Sequence, residues 1–163
     1  MRQKLITMIV IITCSCIFSV IPVIANSSDV QYDRKYVKYC EEIGEKYSIS
    51  PELLEAIIEH ESGGNPNVGI DWIKCYGLMG VSSKWNADRM RKLGVTNLYD
   101  PYSNILVASD LLVELYETYE DNYEVLRYYG GYPKGDYGFS KEMLQRAWEL
   151  EVIHGKQDYL TKG

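Results

Sequence analysis

The stretch PELLEAIIEHESGGNP, residues 51–66, constrains this chain more than any other. Ser50 suits an N-cap and Pro51 the first helical position, and Gly63-Gly64 supply a stop. Leu54, Ile57, Ile58 and Glu61 recur at helical spacing, so an ionisable group occupies an apolar stripe. Glu52, Glu55 and Glu59 fall elsewhere on the wheel and are expected to face solvent. A carboxyl on the buried side should hold its proton to higher pH, which a general acid needs. A glutamate at a fraying helix end can also simply reach solvent. Periodicity leaves both readings of Glu61 open.

The chain has 163 residues. Residues 1–25 read as an export signal: Arg2 and Lys4, an apolar run from Leu5 to Ile24, then Val23-Ile24-Ala25 before a cut. An uncleaved anchor is the alternative, since the run is about long enough to span a bilayer. Residues 26–31 form a polar tether, 32–155 one domain, and 156–163 a tail. The formal charge is −6, and two units more negative without Arg2 and Lys4, which argues against a nucleic-acid partner. Fifteen tyrosines suit stacking on sugars, but they fill cores equally well. Past the signal only Cys40 and Cys75 remain. Export permits a disulfide between them, and their spacing does not decide it.

The pattern predicts a mostly α fold. Helices are expected over 32–47, 51–62, from Ser82 or Ser83 to about Leu93, from Pro101 to about Glu120, over 122–129, and from a Ser140 cap to about His154. Trp85 and Met90 are expected to face inward in the third helix, and Met143, Leu144, Ala147 and Trp148 in the last. Ile105, Ala108, Leu111, Leu112 and Leu115 make the fourth helix the central packing element. Cys75 to Val81 is apolar but rich in glycine, so an extended or turn segment is expected there.

Little else carries chemistry. His60 is expected to point away from Glu61. The zinc-protease spacing lacks its second histidine, because position 64 is Gly64, so no metal site and no cofactor are expected. A buried acid suits cleavage of a glycosidic bond, whose oxygen must be protonated as it leaves. The usual second carboxylate is missing; Asp71 in the following loop is the nearest candidate.

Several pieces resemble the catalytic domain of soluble lytic murein transglycosylases, a family related to goose-type lysozyme. They are Ala56-Ile57-Ile58 through Glu61-Ser62-Gly63, Asn65-Pro66, Gly77-Leu78-Met79, Tyr99-Asp100-Pro101 with Asn104-Ile105, and Tyr128 with Gly131. The resemblance covers roughly residues 40–150. It implies a compact, lysozyme-like helical domain with a substrate groove. Glu61 would protonate the oxygen between N-acetylmuramic acid and N-acetylglucosamine, then take the proton of the muramic acid C6 hydroxyl. That hydroxyl closes on C1 as a 1,6-anhydro end, so no second acid is required. Ser62 would steady the turn, Gly77 and Met79 would form a groove wall, and Tyr128 would approach the acid.

The chain departs from the family where Gly80 replaces the usual Gln and Tyr129 the usual Asn. Both positions are expected at the substrate, with Tyr129 stacking in the groove or filling it. The expected partner is the peptidoglycan glycan strand, met by a secreted monomer in the cell wall. A cell-envelope secretion or conjugation apparatus is a candidate recruiter. A muramidase using an activated water, and a wall-binding protein without activity, are the competing readings.

Overall fold

The computed structural model describes residues 36–155. The expected signal 1–25, tether 26–31 and tail 156–163 lie outside the described residues, as do residues 32–35 of the first helix. The elements run α1 (Val37–Tyr47), α2 (Pro51–Ser62), β1 (Gly69–Ile70), β2 (Cys75–Tyr76), β3 (Val81–Ser82), α3 (Ala87–Leu93), α4 (Pro101–Thr118), α5 (Asn122–Tyr129) and α6 (Gly138–Ile153). The mostly helical expectation holds. The glycine-rich segment supplies a small antiparallel sheet in the order β1-β2-β3, with Ile70 opposite Cys75 and Tyr76 opposite Val81.

α2 forms where the sequence placed it. The Ser50 hydroxyl accepts from the Leu53 N–H at 3.3 Å, and Gly63 ends the helix at φ 59°. It lies between α1 on one side and α6 on the other. Leu54, Ala56, Ile57 and Ile58 are fully buried. Burial of Leu54, Ile57 and Ile58 contributes about 1.5–3 kcal/mol each before the entropy of ordering is subtracted.

Glu52 and Glu55 do not reach solvent as expected; both are buried. The polar side of α2 is the side on which α6 docks. At its first turns, His154 Nδ1 lies 3.1 Å from Glu52 Oε1 and Nε2 lies 3.8 Å from Glu55 Oε2. One turn beyond Glu55, the Arg146 guanidinium forks onto Glu59, with Nε 2.6 Å from Oε2 and Nη2 3.1 Å from Oε1. The helical wheel identified these side chains as polar but could not show that a cationic helix face would cover them.

α4 is the central packing helix, capped by Asp100, whose Oδ1 accepts from the Ser103 N–H at 2.9 Å. Its Asn104 is fully buried and serves three backbone groups. The side-chain amide donates to Tyr76 O and Leu98 O at 2.8 Å each, and Oδ1 accepts from Met79 N at 2.8 Å. Gly77 is packed against this amide at φ +78°, leaving no room for a Cβ. Its lack of a side chain lets the β2–β3 turn close onto α4.

Two helix starts and two tryptophans differ from expectation. α3 starts at Ala87, because Ser82 is taken up by β3 and Asn86 stands at the N-cap. Trp85, just before it, is largely exposed. α6 begins at Gly138, ahead of Ser140; that serine is buried and donates to Tyr123 O at 2.8 Å, tying α6 to α5. Phe139, Met143, Ala147 and Leu150 are buried in α6, while Trp148 faces outward.

Cys40 and Cys75 are both buried and not joined to each other, so the disulfide considered from export is not formed. Cys40 sits on α1 near Glu55, and burial together with that charge pushes its thiol well up. Cys75 sits in β2, its thiol 3.8 Å from Ile73 O. Each thiol is held in a separate part of the core.

Candidate active site

Glu61 occupies the last turn of α2 and is 7 % exposed. Two surfaces meet its two oxygens. On the Oε1 side stands His60, with Nδ1 3.7 Å away. On the Oε2 side stands Gly80, at the end of the β2–β3 turn. A Cβ on Gly80 would fall 2.7 Å from Oε2, and the three atoms nearest to that position all belong to Glu61. Gly80 has φ +61°, a conformation that glycine adopts freely and other residues rarely do. Its missing side chain lets the turn backbone approach the carboxyl closely.

The turn is held on the acid from two helices. Asn104 of α4 takes the Met79 N–H, and Tyr129 of α5 donates its hydroxyl to Met79 O at 2.8 Å. Met79 is buried, so its side chain is core and only its backbone serves the site. Tyr129 is buried too and does not stack in a groove. Burial, and after it the Glu61 charge, raise its phenol far above the usual range, which keeps it a neutral donor. For Tyr128, expected beside the acid, the contacts seen are with other groups. Its ring stacks on Tyr119 with centroids 4.2 Å apart, and the Arg127 guanidinium sits 3.9 Å above it. The Tyr-Tyr pair was legible in the sequence, but which of the two faces the acid depends on how α5 is rolled against the turn.

Burial raises the Glu61 pKa above the usual carboxyl value, and His60 pulls it back down. The Glu61 carboxylate in turn lifts His60 above the usual imidazole range, against the effect of burial. At 3.7 Å this is charge contact, not a hydrogen bond. His60 was expected to point away; instead its ring packs edge-on against Phe139 at 5.0 Å, and α6 turns it toward Glu61. Ser62 steadies the turn as expected: its hydroxyl donates to Ile58 O at 3.0 Å and accepts from Gly64 N at 3.2 Å.

Asp71 is not brought to the acid. It is exposed in the β1–β2 connection, where it accepts the Tyr76 hydroxyl at 3.1 Å. Among the described residues, one group has metal-donor spacing: Glu52, Glu55 and His154, with ligand atoms within 4.8 Å of one another. It lies toward the other end of α2, about 9–14 Å from Glu61 along the helix. His154 stands against both carboxylates there, so the group joins the end of α6 to α2.

Asn104 was missed as a supporting residue although its signal was present. It stands four residues before Ala108 and seven before Leu111, a polar side chain on an apolar stripe like Glu61. His60 carried no comparable signal.

Residues 38–149 match the transglycosylase SLT domain family. A protein called transglycosylase from Enterobacteria phage PRD1 is 34 % identical over 96 residues, covering 57 % of this chain and 34 % of that protein. The chain thus spans about a third of the phage protein's length. Protein IpgF of Shigella flexneri and that of Shigella sonnei are each 32 % identical over 115 residues, covering 66 % of this chain and 72 % of theirs. With the family matched over most of the described residues, and with an acid-bearing helix and its glycine turn in a mostly helical domain, the chain belongs to the transglycosylase SLT domain family.

Proposed function

We propose that this protein is a peptidoglycan lytic transglycosylase in which Glu61 acts first as acid and then as base. The observation that carries the reading is the Glu61–Gly80 contact: a buried carboxyl with a raised pKa, whose Oε2 is met by a residue without a side chain. A glycosidic oxygen bound at the carboxyl would receive the Glu61 proton as its bond to C1 of N-acetylmuramic acid breaks. The C6 hydroxyl of the same sugar then bonds to C1, and its proton returns to Glu61. Atoms and charge balance with no water consumed. The apolar segment of residues 5–24, ending at Ala25, supports export to the compartment that holds this polymer.

Mass analysis of digested peptidoglycan tests the proposal. The expected products end in 1,6-anhydromuramic acid, lighter by one water than hydrolytic ends, and Glu61→Gln yields none. Hydrolytic ends from the native protein would establish a muramidase instead. Full activity in Glu61→Gln would remove the acid from its role, and glycan binding without cleavage would leave a wall-binding protein.

A further inference from the structure

The two proton transfers at Glu61 leave a bare carboxylate between them, in a site where burial disfavours that form. A buried carboxylate without a counter-charge costs several kcal/mol. His60 is the group placed to supply one. Its Nδ1 and the Glu61 Oε1 are both buried without a hydrogen-bond partner, and they face each other at 3.7 Å. On the far side of the ring, Nε2 lies 3.9 Å from Glu142 Oε2 of α6. The imidazole is thus set between two carboxylates, with Phe139 against its edge. The remaining charged groups on this side are already engaged: Arg146 is bound to Glu59 and to Glu149. From α5, the group facing Glu61 is the neutral phenol of Tyr129, and from the β2–β3 turn it is the uncharged backbone of Gly80.

We infer that His60 is a positioning residue for Glu61: its imidazolium holds the Oε1 side of the carboxylate and compensates its charge between the two proton transfers, leaving Oε2 to the substrate. The inference rests on the proposed acid–base role of Glu61. It assigns the two oxygens different tasks and makes turnover depend on a charged His60. At low pH both groups carry protons. Raising the pH removes the imidazole proton and with it the counter-charge. Turnover therefore falls on the alkaline side as the Glu61–His60 pair loses its protons, and that fall belongs to the pair as a unit.

The experiment has one arm that needs no activity. The imidazole of His60 is titrated by NMR in the native protein and in Glu61→Gln. The expected result is a downward shift of its pKa in the variant; an unchanged titration overturns the coupling, whatever the enzyme does. The second arm compares pH–rate profiles on peptidoglycan for native, His60→Gln and His60→Lys proteins, each checked for a native circular dichroism spectrum. His60→Gln is expected to lose kcat by roughly tenfold per pKa unit of lost interaction, with KM little changed. His60→Lys, a cation to higher pH, is expected to recover part of kcat and move the alkaline limb upward. A His60→Gln profile identical in height and shape overturns the positioning role. A native protein that cleaves no glycan defeats the proposed function instead, and the NMR arm still decides the coupling.

Discussion

Replacing Gly80 by Ala tests the geometry of the site most directly, because the structure separates its cost into two parts. The first is conformational. At φ +61° an L side chain costs about 1–2 kcal/mol. The second is the contact, since the new Cβ would stand 2.7 Å from Glu61 Oε2, and relieving such overpacking costs about 1–3 kcal/mol more. Gly80→Ala should therefore lose about 2–5 kcal/mol in the native background and only about 1–2 kcal/mol when Glu61 is also Ala. The assay is urea unfolding of the four proteins of the double-mutant cycle at one pH, with unchanged m-values. The coupling expected is about 1–3 kcal/mol. Costs equal within about 0.5 kcal/mol in the two backgrounds would refute the contact between Gly80 and the acid. Gly80→Gln should behave like Gly80→Ala, although the families this chain resembles usually carry Gln there, because it adds the same Cβ to the same left-handed backbone.

Glu61→Gln should raise the unfolding temperature above the usual carboxyl range. Burial raises the folded-state pKa of Glu61, so the folded protein binds that proton more tightly than the unfolded chain, and stability falls as pH rises from the ordinary carboxyl value to the folded one. Each unit of that shift is worth about 1.4 kcal/mol at higher pH, and thermal melts should show the variant's advantage vanishing at low pH; an advantage independent of pH would contradict the burial argument. Tyr129→Phe should cost about 1 kcal/mol through the lost bond to Met79 O and should lower turnover, while Tyr128→Phe leaves turnover near native. Steady-state kinetics showing the reverse order would return Tyr128 to the acid. Native protein should react with a thiol reagent at neither Cys40 nor Cys75, and at both after denaturation without reductant; no reaction after denaturation would reveal a disulfide.

The helices could be read from the sequence wherever a local signal was unambiguous. Ser50-Pro51 and Gly63 bound α2, Asp100-Pro101 opens α4, and Asn122–Tyr129 is α5 as expected, because caps and glycine stops act within a turn of their own residue. Glu61 was legible for the same reason, as a carboxyl out of place on an apolar stripe. Signals failed where a residue had two suitors. Ser82 and Ser140 can each cap a helix, but one is taken by a strand and the other by the Tyr123 carbonyl.

Periodicity alone determined which side chains of α2 are apolar and that one acid lies among them. It could not determine what covers the other faces of the helix. Only the docking of α6 buries Glu52 and Glu55, turns His60 toward Glu61 and sets Arg146 on Glu59. Only the closure of the β2–β3 turn on Asn104 and Tyr129 carries Gly80 to the carboxylate. The physical reason is range. Helix caps and stripes are settled by neighbours a few residues away, whereas the charge and access of Glu61 are set by groups from α4, α5, α6 and the sheet, which meet it only after the chain has folded.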